Sequence, residues 1–579
     1  MCGVFGYVGQ PTQVVPLVAN ALRIMEYRGY DSWGIGWDIG SEVSLLKQTG
    51  RVPAELQADQ VASIAIGHTR WATHGGVTDA NAHPHIDTDG RIAVVHNGVI
   101  ENAEQLKIDY LIHVSFRSET DSEIVPHLIR YHMEHGQSFT ESVRTTFLML
   151  EGSSAILAMD CVSNMMVAVT ARSPLRLGRR TDGWELASDP LACARSSHEI
   201  AVIPDHHLVV LTQSSAQLVD VYAGSEISIS WEPTPEELSS SRGDFPHFTI
   251  KEIHDQVEVV RDLEDKFNDV GPLAEAIGHH KHIILTGCGS AYYAANLGAT
   301  WLQDACDAWI DVVPASEVSE HTRNLGTDTL VIALTQSGET ADVVDAMQHA
   351  IRWGANTATI INTETSTIAN MAETVVGIKA GVERSVLATK SFMAMALRIY
   401  QTAAWLRGER SVDFSRLAND LDAVLRSEAI SRIAYEIARH PSMIVLGKDA
   451  GRAVAQEAAL KIKEGSYLHA EAFITGELKH GPLALVQSGL PCLVIATSSE
   501  ELRAARIAAA EVKSRGGYVI GVGEFEQRDC SEVIAVESTT SLASLVHLAA
   551  MQKLAYHVAI ARGVDPDFPR NLAKSVTVR

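Results

Sequence analysis

A repeated unit in the second half of the chain constrains the fold more than any other feature. The stretch HIILTGCGSAYYAANLGATWL, starting at His282, follows the pattern of SMIVLGKDAGRAVAQEAALKI, starting at Ser442. Each reads as an apolar strand, a turn of glycine and small residues, and a long Ala-rich helix. A second pair, TLVIALTQSGETADVVDAM from Thr329 and CLVIATSSEELRAARIAAA from Cys492, repeats at a similar offset of about 160 residues, so one duplication accounts for both. Strands apolar along their whole length, alternating with helices, predict parallel sheets covered on both faces. Two tandem α/β domains are expected, near residues 270–405 and 430–560.

The first part of the chain reads differently. Short apolar strands such as SIAIGHTRWAT and RIAVVHNGVI lie between polar turns, with occasional helices such as SEIVPHLIRYHMEHG, the pattern of a strand-rich α+β domain. From Ser225 to Asp244 the text becomes SEISISWEPTPEELSSSRGD, and its Ser, Pro and Glu content is that of a linker. At 579 residues the chain is too long for one core. Its net charge of −24 argues against a nucleic acid or an anionic membrane as partner. Seven widely spread cysteines fit reduced thiols in a cytoplasm and suggest neither a disulfide framework nor a metal site. No basic segment leads into an apolar stretch at the start, and no run reaches about 18 apolar residues, so neither a signal peptide nor a membrane span is expected. The expected location is cytoplasmic.

Several stretches are suited to chemistry. Cys2 follows the initiator methionine, and removal of Met1 leaves one residue carrying both a thiol and a free α-amine. In LTQSGETAD a strand runs through Thr335, Gln336, Ser337, Gly338, Glu339 and Thr340 into a helix. Hydroxyls and free amides at a helix start, with a glycine for close approach, suit phosphate; an ordinary capped helix start is the plainer reading. The duplicate loop, ATSSEEL, is acidic and lacks the glycine, so only the first copy is a phosphate candidate. The helix GRAVAQEAALKIKEGSY sets Glu457, Lys461 and Glu464 on one face, and GELKHGPLAL follows with His480. A solvated, salt-bridged face and an interfacial acid–base site both fit that spacing. Lys574 lies near the end of DPDFPRNLAKSVTVR, which is too apolar and varied to read as a disordered tail.

The stretches MCGVFGYVG, EYRGYDSWGIG, GHTRWATHG, NAHPH, VVHNGVIEN and SETDSE resemble the class II glutamine amidotransferase domain. TQSGETAD, LKIKEGSYLHAEAF, GELKHGPLAL and PRNLAKSVTV resemble the sugar isomerase domains of the glutamine:fructose-6-phosphate amidotransferase family, and the matches run in the same order from residue 2 to 578. The resemblance implies an α+β Ntn-type glutaminase domain of stacked antiparallel sheets with helices over residues 2–225 and a linker over 226–250. Two α/β sugar isomerase (SIS) domains follow over 251–410 and 411–565, with parallel, three-layer, flavodoxin-like or Rossmann-like sheets, and then a catalytic tail over 566–579. The implied reaction is glutamine-dependent transfer of ammonia to fructose 6-phosphate with isomerisation, giving glucosamine 6-phosphate and glutamate.

The resemblance also implies roles. Cys2 attacks the glutamine amide with its own α-amine as base, a group that titrates near about 7.7–8.0. The Asn97 side chain and the Gly98 N–H form the oxyanion hole. Arg70 and Asp121 bind the carboxylate and ammonium of glutamine, Trp71, Thr73 and His74 lie on the closing loop, and Arg28 supports the nucleophile's surroundings. Trp71 also gates an internal ammonia route. Thr335, Gln336, Ser337 and Thr340 hold the sugar phosphate, and Ser290, Glu383 and Ala388 complete that site. Lys574 forms a Schiff base with the C2 ketone, His480 assists ring opening, Glu464 moves the proton between C1 and C2, and Glu457 with Lys461 supports the cluster. No metal, nucleotide or pyridoxal cofactor is implied; the partners are L-glutamine and a ketose phosphate, with a homodimer by analogy.

The chain departs from the family at CGSA, where CGTS is usual, and at VLATK, where VASTK is usual, so Ala291 and Ala388 replace hydroxyl-bearing residues. Each lost hydroxyl removes a hydrogen bond of about 0.5–1.5 kcal/mol net. The stretch ARSPLRLG, from Ala171, is also shortened. Two alternatives stay open at this point: a paralogue that aminates a different ketose phosphate, and a non-catalytic sugar-phosphate sensor.

Overall fold

The computed structural model describes all residues except 1, 57–58, 73, 235–241, 322–324, 539 and 576–579, and the side chain of His321. The described chain forms two compact units, residues 2–234 with Ser575, and residues 242–574.

Alternation in the strand Gly3–Gln13 decides the layers of the first unit. Val4 and Val8 face a core that includes Ile64, Val95 and Leu157, while Phe5 and Tyr7 face Val14, Val15 and Val18 of the helix Val14–Met25. The strand lies inside an antiparallel eight-stranded sheet, between Gly183–Ala187 and Val61–Arg70. A seven-stranded antiparallel sheet containing Ile92–Ile100 and Gly152–Asp160 packs against it, and the helices Ile124–Glu134 and Phe139–Met149 cover the outer face of that second sheet. Gly6 allows the close approach of the sheets: a Cβ there would lie 2.6 Å from Met166 Sδ. These layers, helix, sheet, sheet and helix, match the α+β expectation.

The start of the expected linker needs correction. Glu226–Ile227 pairs with Ala216–Asp220, and Glu232–Pro233 pairs with Glu199–Ile203, so the chain from 226 borders both sheets. Ile227, Ile229 and Trp231 pack against the core between the sheets. Their period-2 spacing is a strand signal masked by the Ser, Pro and Glu around it. Residues 235–241 lie outside the described chain, and the helix Phe248–Glu264 belongs to the core of the second unit.

The second unit holds two five-stranded parallel sheets of identical topology. The first runs Trp309–Pro314, His282–Gly287, Thr329–Thr335, Asn356–Ile361, Thr374–Gly377; the second runs His469–Ile474, Ser442–Gly447, Pro491–Ile495, Tyr518–Val522, Glu532–Ile534. This is the flavodoxin-like order, and its recurrence matches the duplication seen in the sequence. The sheets share one core, in which Leu297, Met395, Ala458 and Leu548 from four helices are all buried. The helix Ala543–Ala561 is apolar on nearly every side and therefore needs neighbours all round. In this strand order the loops after His282–Gly287 and Thr329–Thr335 leave the sheet side by side, at the crevice where open α/β sheets bind ligands. Among the described residues no helix is long and apolar enough to cross a membrane.

Candidate active sites

In the first unit, the strand that follows Cys2 is pinned at its start. Gly3 N–H donates to Thr69 Oγ1 at 3.2 Å and Val4 N–H to Ser188 Oγ at 3.1 Å. Trp71 N–H donates to Cys2 Sγ at 3.2 Å. Burial pushes the Cys2 thiol above its ordinary value, although the Trp71 N–H and the Arg70 charge pull it back in part. A nearby base is therefore needed to free the thiolate.

Asn97 Nδ2 donates to the Cys2 carbonyl at 2.9 Å, while Asn97 Oδ1 lies 3.1 Å from His68 Nε2. The same Nε2 lies 3.1 Å from the His96 carbonyl; with two acceptors around it, that nitrogen carries the hydrogen. His68 thereby turns the amide group of Asn97 toward Cys2. Gly98 has φ +142°, and a Cβ there would sit 1.9 Å from the Ser153 carbonyl, so only glycine fits. Asp121 Oδ2 accepts Ile100 N–H at 2.7 Å and anchors the chain just beyond Gly98.

Arg70 is buried, and its guanidinium donates to the carbonyls of His74, of Gly75 at 3.4 Å and of Gly76 at 3.1 Å, tying down the loop after its strand. Trp71 meets Tyr30 edge to face at 6.0 Å. His74 is exposed, and Thr73 lies outside the described residues. Arg28 Nε donates to Asp189 Oδ2 at 2.7 Å, and Tyr27 OH donates to the same carboxylate. Ser188, next to Asp189, holds Val4, so Arg28 supports the strand of Cys2 through two side chains.

Sequence reasoning missed the four buried histidines beside these groups. His68 stacks on His83 with centroids 4.3 Å apart, His83 meets His85 at 4.5 Å, and His96 bonds to Ser122 Oγ at 2.8 Å and Ser154 Oγ at 3.2 Å. Burial holds all four below the ordinary histidine range, His68 at about 3. The available signal was histidine set inside strand-like text, as in IGHTR and AVVHNG.

In the second unit, Ser290 opens the helix Ser290–Gln303, and its Oγ donates to Glu457 Oε1 at 2.9 Å, joining the duplicated halves. Lys461 Nζ lies 3.5 Å from Glu457 Oε1 and closer still to Glu464 Oε2. Glu457 is 0% and Lys461 1% exposed, so this is not a solvated face. Burial pushes Glu457 up to about 8 despite the neighbouring ammonium. For Lys461 burial pulls down, but Glu457 and Glu464 outweigh it and keep the amine charged.

Thr335 is buried at its strand end, and its Oγ1 accepts Gly338 N–H at 3.1 Å. Gln336, Ser337 and Thr340 stand half-buried around the turn, and Thr340 precedes the helix Ala341–Arg352, with no side-chain capping bond among the described residues. Glu383 is buried at the start of the helix Lys390–Leu406. It accepts Thr389 N–H at 2.9 Å, Ser391 N–H at 3.1 Å, Ser391 Oγ at 2.6 Å and Lys574 Nζ at 2.5 Å. Burial alone would raise this carboxyl, but the Lys574 ammonium and the hydrogen-bond donors hold it at about 2. Ala388 lies half-buried on the Glu383 loop, and Ala291 half-buried just after Ser290. His480 is exposed on the turn Thr475–His480, and among the described residues no hydrogen bond or ion pair joins it to this cluster. Sequence reasoning also missed Glu252, which accepts backbone N–H groups from the Glu383 loop, and Asp567, which accepts from the first turn of Phe248–Glu264.

The glutamine amidotransferase domain family matches residues 1–160, and the SIS domain family matches residues 276–404 and 436–528. The chain is 35% identical to glutamine--fructose-6-phosphate aminotransferase [isomerizing] from Symbiobacterium thermophilum and 34% identical to the protein of that name from Methanothermobacter thermautotrophicus, with 100% of both chains covered each time. Among solved structures, the C-terminal domain of glucosamine-fructose-6-phosphate aminotransferase from Francisella tularensis matches 57% of this chain and 100% of that one, at 29% identity and a TM-score of 0.51. Tagatose-6-phosphate ketose/aldose isomerase from Escherichia coli matches 58% of this chain and 98% of that one at 19% identity and a TM-score of 0.50, a likeness of fold alone. With relatives of this identity aligned end to end, the chain belongs to the family of isomerising glutamine–fructose-6-phosphate aminotransferases.

Proposed function

We propose that this protein hydrolyses L-glutamine at Cys2 and transfers the ammonia to fructose 6-phosphate, giving glutamate and glucosamine 6-phosphate. The observation that carries the reading is the meeting of distant motifs in the second unit: Ser290 reaches Glu457, and Lys574 reaches Glu383. An amine nucleophile and a set of carboxylates are what amination and isomerisation of a ketose require.

In the glutaminase step, loss of Met1 frees the Cys2 α-amine, which takes the thiol proton as Sγ attacks the amide carbon. Asn97 Nδ2 and Gly98 N–H receive the oxyanion; each such donor is worth on the order of 10²–10³ in rate. The amine returns its proton to the departing ammonia, and water then releases glutamate from the thioester. Asp121 takes the substrate ammonium, and Arg70 takes the carboxylate with donors that the loop carbonyls leave over. Trp71, Thr73 and His74 close over the glutamine.

In the sugar step, Thr335, Gln336, Ser337 and Thr340 hold the phosphate, with Ser290 and Ala388 beside it. Once Lys574 has given up its ammonium proton to solvent, the free amine adds to the C2 ketone and the carbonyl oxygen leaves as water; ammonia then displaces the lysine, and Glu464 carries the proton from C1 to C2. Glu383 is too acidic to serve as base and instead orients the lysine. Glu457 and Lys461 fix Glu464. His480 opens the sugar ring, and because it is exposed and, among the described residues, unjoined to the cluster, the proposal includes a homodimer in which a second copy presents it. We place the protein in the cytoplasm and retain the sugar isomerase division near residue 410.

A different ketose phosphate is the second reading, favoured by Ala291 and Ala388, which remove two hydroxyls near the sugar. Incubation of the purified protein with glutamine and a panel of ketose phosphates, with products identified by mass spectrometry, decides between them. Glucosamine 6-phosphate is expected as the main product. Glutamate release without amination of fructose 6-phosphate would overturn the assignment.

A further inference from the structure

In the second unit a closed circuit of hydrogen bonds links the segment that bears Lys574 to the loop that bears Glu383. The circuit runs through the first turns of the helix Phe248–Glu264. Asp567, 4% exposed, stands before Lys574 on the same segment. Its carboxylate accepts Phe248 N–H, Thr249 N–H and Thr249 Oγ1, each at 2.7 Å. Because a carboxylate only accepts, the Thr249 hydroxyl spends its single proton on Asp567. Ser385 Oγ, 2.7 Å from Thr249 Oγ1, must then donate to that oxygen. One turn further along the helix, Glu252, 2% exposed, accepts Arg384 N–H at 2.5 Å and Ser385 N–H at 3.2 Å. The next residue back is Glu383, which receives Lys574 at 2.5 Å and closes the circuit. The Asp567 carbonyl also accepts Val386 N–H at 3.5 Å, a direct tie between the two segments.

Neither Asp567 nor Glu252 has a role in the chemistry above, yet both are buried carboxyl groups spent on holding backbone. A lysine side chain has many rotamers, and an amine that attacks a ketone must be aligned within fractions of an ångström to react quickly. Glu383 can align Lys574 only if its own loop and the lysine-bearing segment keep a fixed separation. The helix start provides that separation, with one carboxyl group gripping each side.

We propose that Asp567 and Glu252, acting with Thr249, are positioning residues that hold the Lys574 segment and the Glu383 loop in register and so align the lysine amine for imine formation. The proposal rests on the reading of Lys574 as the imine-forming lysine.

The test uses the full-length enzyme with fructose 6-phosphate and borohydride, which reduces the imine to a stable secondary amine that peptide mass spectrometry locates. Thr249→Val removes the hydroxyl at nearly constant shape, Thr249→Ser keeps it, and Asp567→Asn and Glu252→Ala loosen either grip. Thr249→Val, Asp567→Asn and Glu252→Ala are expected to lower both the trapping rate at Lys574 and kcat for amination by about 10–100-fold, from misalignment of the order of 1 Å. The KM for fructose 6-phosphate is expected to stay within about twofold, with glutamine hydrolysis unchanged and Thr249→Ser behaving as wild type. Trapping at Lys574 at the wild-type rate in all three variants overturns the latch, as does a Thr249→Ser enzyme as slow as Thr249→Val. Loss of glutamine hydrolysis together with amination also overturns it, because that pattern is general unfolding. Borohydride that labels no Lys574 in the wild-type enzyme overturns the reading of the lysine itself, a result distinct from the others.

Discussion

Replacing Glu457 by glutamine tests the electrostatics of the sugar site. The carboxyl is fully buried, with Oε1 2.9 Å from Ser290 Oγ and 3.5 Å from Lys461 Nζ, and with no hydrogen-bond partner for Oε2 among the described residues. Burial raises it from 4.5 to about 8. Between those values the folded protein holds a proton that the unfolded chain has released, so unfolding free energy falls as pH rises, by about 1.4 kcal/mol per pH unit. Over the gap of 8 − 4.5 = 3.5 pH units, the cost of ionising this group reaches about 5 kcal/mol. Glutamine has the same shape, accepts the Ser290 bond and never ionises, so Glu457→Gln removes the slope. Losing the partner of Lys461 shifts the variant's stability by a nearly constant amount, since Glu464 still faces that amine. Hydrogen exchange of amides in the helix Ala450–Ser466 reports local opening free energy without requiring the whole chain to unfold in one step. Between about pH 5.5 and about pH 8 the variant should gain on wild type by about 3 kcal/mol. Parallel pH profiles for the two proteins would refute the reasoning.

The first unit has the opposite dependence on pH. His68, His83, His85 and His96 are neutral when folded, so below about pH 6.5 the unfolded chain binds protons that the folded unit refuses, and each histidine costs up to about 1.4 kcal/mol per pH unit. Amide exchange in the strand Ile92–Ile100 should therefore accelerate, relative to its intrinsic rate, from about pH 7 to about pH 5; protection unchanged across that range contradicts the assignment. Gly98→Ala drives a methyl group to 1.9 Å from the Ser153 carbonyl and displaces the Gly98 N–H, so kcat for glutamine hydrolysis should fall by about 10²–10³-fold, and an unchanged kcat rules out Gly98 as an oxyanion donor. Cys2→Ala should abolish glutamine hydrolysis and leave imine trapping at Lys574 intact; loss of both activities is incompatible with two chemical sites.

Much of the fold was legible because local periodicity records which side of an element meets a core. Period-2 text marked the antiparallel strands, unbroken apolar strands beside Ala-rich helices marked the parallel sheets, and the repeat marked their duplication. Over Ile227, Ile229 and Trp231 composition and periodicity disagree: the surrounding Ser, Pro and Glu are those of a linker, while the period-2 spacing belongs to chain that borders the sheets. Helical spacing alone also placed Glu457, Lys461 and Glu464 on one face. It left open whether that face met water, because periodicity is blind to what packs from outside; the shared core of the two sheets decided the matter by burying Glu457 and Lys461.

The amino-acid sequence by itself determined the class of each domain, the duplication and, through the order of its motifs, the family. Tertiary structure alone decided which charged groups are desolvated and which distant side chains meet. It tied Asn97 to His68, brought Lys574 to Glu383, stitched Asp567 and Glu252 to the same helix, and left His480 exposed. The reason is physical: the apolar face of a helix or strand is written within a few neighbouring residues, whereas a hydrogen bond between segments far apart in the chain depends on how whole layers pack.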